Sequence, residues 1–282
     1  MKNSLFFRIT LHILRFTIFS LHVRKETVHT LASPEKRLAQ VIDDHRLLYA
    51  DPTVETKLRQ LIDVSPHSFL TESELIELFR RTQSIFFNTH LEVASGHHTG
   101  TYLRFESIAH FPNRIDIIVQ DMANWVSKLD KDQKVHGIMV PNSDARLLAE
   151  GIANRLKNQV PLRVVAAPFD PTTGRIGTDV PPEKIQKGEH FIAFNDVTAR
   201  GNCVNKLGQI VTDRGGTVVG MMVFARRDSG QFPFMDELTA QYPFYYSVGL
   251  DMPQWEQSEC SLCRLGEELL SWRDMPLLRR EA

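Results

Sequence analysis

The residues best suited to chemistry lie in one short segment, where an apolar run ends in Asn195 and Asp196 and the chain then turns through Gly201. A buried strand that ends in an acidic residue and turns through glycine into a helix presents backbone N–H groups to an anion. Ligands of open α/β sheets bind at such carboxyl ends of strands. The pattern therefore predicts a phosphate site beside Asp196.

The stretch 168–188 contains Arg175 and has no apolar period, and an ordered loop of that length is usually functional or mobile. We expect this stretch to act as a lid over the site.

The segment 191–203 resembles the phosphoribosyl pyrophosphate motif of type I phosphoribosyltransferases, most like orotate phosphoribosyltransferase. That motif has an apolar strand, two acidic residues, a short turn with paired threonines, a glycine and a hydroxyl residue. Asp196, Val197 and Gly201 match it. The departures are Asn195 at the first acidic position, Ala199 and Arg200 at the paired threonines, and Asn202 and Cys203 at the hydroxyl positions; a shifted alignment restores only Thr198.

Three more segments fall in the order of that family: 95–103 where its domain opens, 140–149 at its pyrophosphate loop, and 168–178 at its flexible catalytic loop. The resemblance covers about half of the chain and implies Mg²⁺ as cofactor. It implies catalytic roles for Asp196 and Arg175. It implies ligand binding by Asn142, Ser143, Arg146, Asn195, Thr198, Ala199, Arg200, Gly201, Asn202 and Cys203.

The departures weaken the expected contacts to the leaving pyrophosphate. Segment 142–145 has no glycine and adds the carboxylate of Asp144, so an anion is repelled unless Arg146 or a metal ion compensates. The catalytic loop keeps one cation, Arg175, and each lost donor costs about 3 kcal/mol in comparable sites. Arg200 offers compensation, because its guanidinium suits bidentate binding of a 5′-phosphate.

Simpler roles stand beside these. Asp196 could cap the next helix, since Asp is a preferred cap residue. Arg200 is as readily an ordinary surface arginine as a phosphate ligand. His97 and His98, on a strand edge, are more often solvated or hydrogen-bonded than catalytic.

The surrounding pattern predicts an α/β fold with a mostly parallel sheet flanked by helices and a helical N-terminal extension. Apolar spacing and capping signals predict helices from Ser33 to Ala50, from Thr53 to Ile62, and from a capping box at residues 71–74 through Phe86. Short apolar strands then alternate with helices, which is typical of a parallel sheet. We expect a strand-and-helix extension over 1–89, the phosphoribosyltransferase-like domain over 90–228 and a C-terminal extension over 229–282.

The whole molecule has no positive electrostatic field that would attract nucleic acid, because 33 Lys and Arg against 34 Asp and Glu give a net charge of −1. Three cysteines and no evident signal peptide favour a reducing, cytoplasmic location. The apolar segment 5–23 is interrupted by charges that make a transmembrane helix costly, and its alternation indicates a half-buried strand or hairpin. An amphipathic segment on a membrane surface is the alternative.

Cys260 and Cys263 form half of a zinc site, since tetrahedral zinc needs about four N or S ligands. Cys203, His190 or another subunit could complete it. Two reduced thiols packed under a C-terminal helix explain the motif at least as well.

Two functions remain open. The first is an enzyme that binds phosphoribosyl pyrophosphate, or a related phosphorylated ribose or nucleotide, and transfers the ribosyl phosphate to or from a base. The second is a catalytically divergent nucleotide-binding regulator or effector, for example of a bacterial antiphage system such as some retrons, with a protein or nucleic-acid partner. We expect a homodimer in either case, because relatives of this type are generally dimers.

Overall fold

The computed structural model describes residues 33–277, and the prediction of a strand or hairpin for residues 5–23 lies outside them. The helices are α1 (Pro34–Ala50), α2 (Thr53–Leu61), α3 (Glu72–Thr82), α4 (Phe105–Ala109), α5 (Pro112–Gln133), α6 (Ala145–Leu156), α7 (Asn202–Asp213), α8 (Pro233–Gln241) and α9 (Ser261–Arg264). Two turns of 3₁₀ helix cover Pro182–Lys184 and Trp272–Asp274.

The strands are β1 (Ile62–Val64), β2 (Ile85–Phe86), β3 (Leu91–Glu92), β4 (His98–Thr99), β5 (Tyr102–Leu103), β6 (Gly137–Pro141), β7 (Arg163–Ala167), β8 (Phe169–Asp170), β9 (Arg175–Ile176), β10 (His190–Thr198), β11 (Thr217–Arg226), β12 (Phe244–Leu250), β13 (Gln254–Trp255) and β14 (Leu270–Ser271).

The main sheet has the order β1-β12-β11-β10-β6-β7, in which β1 alone is antiparallel to its neighbour. Successive residues of β10 face two separate cores: Phe191 and Ala193 lie in one, Ile192 and Phe194 in the other. Burial on both faces explains the nearly continuous apolar run in this strand. The predicted mostly parallel α/β sheet is confirmed, with 190–194 in a central strand.

Three local predictions need correction. The capping box at Thr71 forms as expected, but α3 ends at Thr82, because Gln83 adopts a left-handed φ of 48° and Phe86 then pairs in β2. Strand β10 runs on through Thr198, so Asp196 belongs to the strand itself. The stretch 168–188, expected to lack regular structure, contains the β8–β9 hairpin and a 3₁₀ turn.

A smaller sheet of order β13-β4-β3-β14 joins the C-terminal segment to an earlier hairpin. Strand β13 pairs with one side of the β3–β4 hairpin and β14 with the other. The C-terminal segment is therefore integrated into the fold on both edges of that hairpin.

Within residues 33–277, none of the helices combines the length and the apolar character needed to cross a membrane.

Asp121 is the main polar link between α5 and the edge of the main sheet. Its buried carboxylate accepts hydrogen bonds from the hydroxyls of Tyr245 (2.6 Å), Ser247 and Ser68, and from the backbone N–H of Phe69 at 2.7 Å. Four donors around one carboxylate offset the cost of burying its charge. The site thus holds the segment before α3 against β12.

Asp121→Ala should lower the free energy of unfolding by about 3 kcal/mol or more, because the buried donors that surround the carboxylate lose their acceptor. Chemical denaturation monitored by circular dichroism measures this. The control is Asp116→Ala on the same helix, whose exposed carboxylate pairs with Arg155 and should matter by less than about 1 kcal/mol. Equal losses in the two variants would contradict the role given to Asp121.

Candidate active site

The predicted phosphate turn lies at the carboxyl edge of the main sheet, between β10 and α7. Gly201 is the N-cap residue of α7 with a φ of 77°, and its N–H donates to the Thr198 hydroxyl at 3.1 Å. A Cβ on Gly201 would lie 2.6 Å from Leu238 and 2.8 Å from Met235, so both the backbone angle and the packing require glycine. The turn is thereby held in one conformation.

The start of α7 can accept an anion. No side chain caps this helix, although the residues that precede it are well ordered by their own hydrogen bonds. Uncapped N–H groups and the positive end of the helix dipole favour a phosphate there. Ala199, Asn202 and Cys203 can contribute backbone N–H groups at this position, where the motif that the segment resembles has hydroxyl side chains.

Asp196 does not cap α7, so that alternative is wrong. Its Oδ1 instead accepts the N–H of Val197 at 2.8 Å, and burial together with Asp144 raises the pKa of the carboxyl to about 6, against the opposing effect of Arg227. Asn195 donates to the Val197 carbonyl at 2.8 Å and so supports the bend of the strand end. A carboxyl of raised pKa at such an edge is typical of a functional site.

Arg227 is the functional candidate that sequence reasoning missed. It follows β11 directly, its guanidinium lies 5.8 Å from the centre of the Tyr102 ring, and its Nη1 is buried without a hydrogen-bond partner within the described residues. Burial lowers the pKa of Arg227, while Tyr102 and Asp196 raise it. The sequence shows the Arg226-Arg227 pair, but only the fold shows that Arg226 is bound to Asp228 whereas Arg227 turns toward Asp196.

Arg200 is not an ordinary surface arginine. Its guanidinium lies 5.2 Å from the centre of the Phe232 ring, and its Nη1 is 3.5 Å from Nδ1 of His97. Nε2 of His97 lies 2.9 Å from a carboxylate oxygen of Glu256, and Nδ1 also lies 3.3 Å from the hydroxyl and from the carbonyl oxygen of Ser95. The buried His97 is thus hydrogen-bonded, which is one of the two simpler roles predicted for it, and it also contacts Arg200.

The loop after β6 is more self-contained than expected. Arg146 donates to Glu150 at 2.7 Å and to the Asn142 side chain at 3.2 Å, and Ser143 Oγ accepts the N–H of Ala145. The charge of Arg146 is therefore already balanced by Glu150 in the same helix. Asp144 precedes α6, and its pKa is raised by desolvation and by Glu106.

The candidate lid is a tight hairpin. Asp170 accepts hydrogen bonds from the hydroxyls of Thr172 and Thr173, which hold the pKa of its carboxyl at about 2. The exposed Arg175 stands opposite Asp170 in the β8–β9 pair. Farther along, Arg214 binds the carbonyls of residues 178 and 180, which anchors the second half of the stretch.

The tip of that hairpin lies near the second sheet. A Cβ placed on Gly174 would be 3.0 Å from Ala94, which precedes the turn of the β3–β4 hairpin. The stretch expected to be a lid therefore meets the segment that carries His97.

Cys260 and Cys263 meet two histidines. Their sulfurs and the ring nitrogens of His90 and His98 all lie within 4.8 Å of one another. The residues expected to complete the set lie elsewhere: burial and then Asp196 raise the pKa of Cys203, and His190 packs against His136. Neither thiol is under a long C-terminal helix, because α9 is a single turn.

No established family model matches this chain. Among characterised proteins it is similar to an orotate phosphoribosyltransferase of Thermus thermophilus, with 28% identity over 199 residues that span 70% of this chain and 98% of the relative. It is also similar to the orotate phosphoribosyltransferase of Caldanaerobacter subterraneus subsp. tengcongensis, with 24% identity over 71% of this chain and 96% of the relative.

Among solved structures, the orotate phosphoribosyltransferase from Aeropyrum pernix aligns with 61% of this chain and 90% of its own, at a TM-score of 0.45 and 17% identity.

Asp196→Asn should stabilise the folded protein at neutral pH. The carboxyl has a pKa of about 6 when folded and ordinarily 3.8, so the folded state holds the extra proton between those values and stability falls as pH rises through that window. The variant should gain about 3 kcal/mol at pH 7, since each of the roughly two pKa units of difference is worth about 1.4 kcal/mol, and it should lose that slope. Thermal unfolding across this range tests it, with the exposed Asp251→Asn as control; a wild-type slope retained in Asp196→Asn contradicts the assignment.

Proposed function

The chain belongs to the type I phosphoribosyltransferase family, and we propose that it transfers the phosphoribosyl group of phosphoribosyl pyrophosphate to a base that carries a negative charge. The observation that carries this proposal is that Arg227, whose buried Nη1 lacks a hydrogen-bond partner within the described residues, lies near Asp196 beside the phosphate turn. The orotate phosphoribosyltransferases among its relatives make orotate the first base to test.

The phosphate turn would bind the 5′-phosphate. The N–H groups at the start of α7 supply donors, and Arg200 adds a charged donor already oriented by His97 and Phe232. Because the arginine is ordered beforehand, less side-chain entropy is lost on binding. This arrangement compensates for the threonine hydroxyls that the turn lacks.

Asp196 would act on the ribose. Transfer breaks the bond between the anomeric carbon and a pyrophosphate oxygen, and pyrophosphate leaves with the electron pair. A base nitrogen forms the new bond, and its proton passes to the pyrophosphate. The Asp196 carboxylate stabilises the positive charge that builds on the anomeric carbon, and a desolvated site strengthens that effect.

Mg²⁺ fits the same edge. Burial and, to a smaller extent, Asp144 raise the pKa of Asp196, and a divalent cation at this edge would relieve the repulsion between the two carboxylates. Mg²⁺ binds through one or two carboxylates plus the phosphates of a substrate, and there it would neutralise the leaving pyrophosphate. Arg175 is the chain's candidate for a further charge on that leaving group.

Arg227 would select the base. A buried guanidinium nitrogen without a partner leaves a strong donor unsatisfied, which is costly unless a ligand supplies an acceptor. A carboxylate satisfies it best, through a charge-assisted hydrogen bond.

Purified protein with Mg²⁺ and phosphoribosyl pyrophosphate should release pyrophosphate with orotate and far less with uracil, which lacks the carboxylate. Arg227→Gln should lower kcat/KM for orotate about 10- to 100-fold, as expected for a lost hydrogen bond to a charged group, and leave the rate with uracil nearly unchanged. Arg226→Gln is the matched control and should keep the preference for orotate. Release with adenine instead of orotate, or with no base at all, would overturn the proposal.

Arg200→Ala should weaken the binding of ribose 5-phosphate by on the order of 1.5–3 kcal/mol, because one charged hydrogen bond to the phosphate is lost. Isothermal titration calorimetry measures this. Arg175→Ala is the comparison: it should leave ribose 5-phosphate affinity intact, since that ligand lacks pyrophosphate, but lower the transfer rate. Unchanged affinity in Arg200→Ala would show that Arg200 does not bind the phosphate.

A further inference from the structure

Four buried or half-buried side chains converge where the C-terminal segment meets the β3–β4 hairpin. His90 immediately precedes β3, His98 lies in β4, Cys260 is the N-cap residue of α9 and Cys263 lies within it. His90, His98 and Cys260 are 1%, 2% and 0% exposed. This cluster, called the Cys-His cluster below, is formed by two parts of the chain about 160 residues apart.

Four of the six distances between the ligand atoms are close to the edges of a tetrahedron around zinc, and the other two are within 4.8 Å. Nε2 of His90 lies 3.2 Å from Nδ1 of His98, and the nitrogen-to-sulfur distances are 3.2, 3.4 and 3.5 Å. Zinc bonds of 2.0–2.1 Å to nitrogen and 2.3 Å to sulfur give edges of about 3.3 Å between two nitrogens and about 3.6 Å between nitrogen and sulfur. A cation at the centre would therefore sit at ordinary bond lengths.

The tautomer of His90 also fits a ligand. Its Nδ1 lies 2.9 Å from the backbone carbonyl of Glu267, and because a carbonyl can only accept, Nδ1 carries the proton. The lone pair of a neutral ring is then on Nε2, which faces the cluster. A ring N–H donated to a backbone carbonyl is the usual outer support of a metal-bound histidine.

Charge balance favours a divalent ion with this set. Two thiolates and two neutral imidazoles around Zn²⁺ sum to zero, so the complex can be buried without an uncompensated charge. Without an ion, nitrogen lone pairs and sulfur atoms would face one another with only the weak S–H donors of cysteine between them.

We propose that His90, His98, Cys260 and Cys263 bind one structural zinc ion. All four coordination positions come from the protein, which is the mark of a structural rather than a catalytic zinc site. The ion would clamp the C-terminal segment onto the β3–β4 hairpin.

This clamp reaches the phosphate turn through a short series of contacts. Glu256 lies in the C-terminal segment four residues before Cys260, and it is the carboxylate that holds His97. His97 lies next to His98 and contacts Arg200. The zinc ion would thus fix His97 and the Glu256 that holds it, and the consequence for Arg200, unlike the zinc site itself, rests on the proposed function.

Protein purified without chelator should contain about one zinc ion per chain by plasma mass spectrometry. Cys263→Ser and His98→Gln should lose most of it, whereas Cys203→Ser and the exposed His67→Gln should retain it and control for loss of any thiol or imidazole. A strong chelator should lower the melting temperature of the wild type, and added zinc should restore it. Because a ligand variant can fail to fold, cobalt replaces zinc in the wild type as an independent readout.

Cobalt-loaded protein should show the visible d–d bands of tetrahedral cobalt and a thiolate-to-cobalt charge-transfer band. Equal zinc content in ligand and control variants would overturn the site. So would a wild type that neither contains nor takes up zinc or cobalt. If zinc is present and the protein shows no transferase activity, the proposed function fails while the zinc site stands.

Discussion

Parallel pairing of β10 with β6 on one side and β11 on the other is the constraint on which the functional edge depends. Parallel strands end at the same edge of a sheet, so the segments that follow them meet there whatever their distance along the chain. This brings the turn at Gly201, the carboxyl of Asp196, the loop before α6 and the guanidinium of Arg227 to one place. The helices and the second sheet cover what this edge leaves open.

The charged groups at this edge are arranged at some cost in stability. Asp196 is desolvated enough to hold its pKa at about 6, and Arg227 keeps a buried nitrogen without a partner. Positive charge on a bound ligand would relieve Asp196, and negative charge on the ligand would supply the acceptor that Arg227 lacks. A site that is unsatisfied when empty and satisfied when filled gains affinity from that difference.

At the phosphate turn, the chain departs from the motif it resembles by having Arg200, which other side chains hold in place, where that motif has a threonine hydroxyl. Where paired threonines are expected, Arg200 is held by Phe232 and His97, and His97 is held in turn by Glu256 from the C-terminal segment. The position of Arg200 therefore depends on a segment that lies far outside the motif. Under the zinc proposal, the Cys-His cluster would clamp that segment onto the β3–β4 hairpin.

The sequence by itself determined the fold class, the order of strands and helices, and the turn at Gly201, because these depend on apolar periodicity and on local turn chemistry. The short apolar run over 190–194 and Gly201 beyond it needed no long-range information to interpret. The end of α3 was misplaced because a left-handed Gln83 leaves no reliable signal in the sequence.

Tertiary structure decided which side chains meet. The Cys260-Cys263 motif predicted two ligands. His90 and His98 lie about 160 residues earlier, and they reach the motif only because β13 pairs with β4 and β14 pairs with β3. Likewise, two adjacent arginines at the end of β11 are equivalent in the sequence, and only the fold shows that Arg226 is bound to Asp228 whereas Nη1 of Arg227 is buried without a partner within the described residues. Contacts across strands and segments depend on register and burial, which local patterns do not encode.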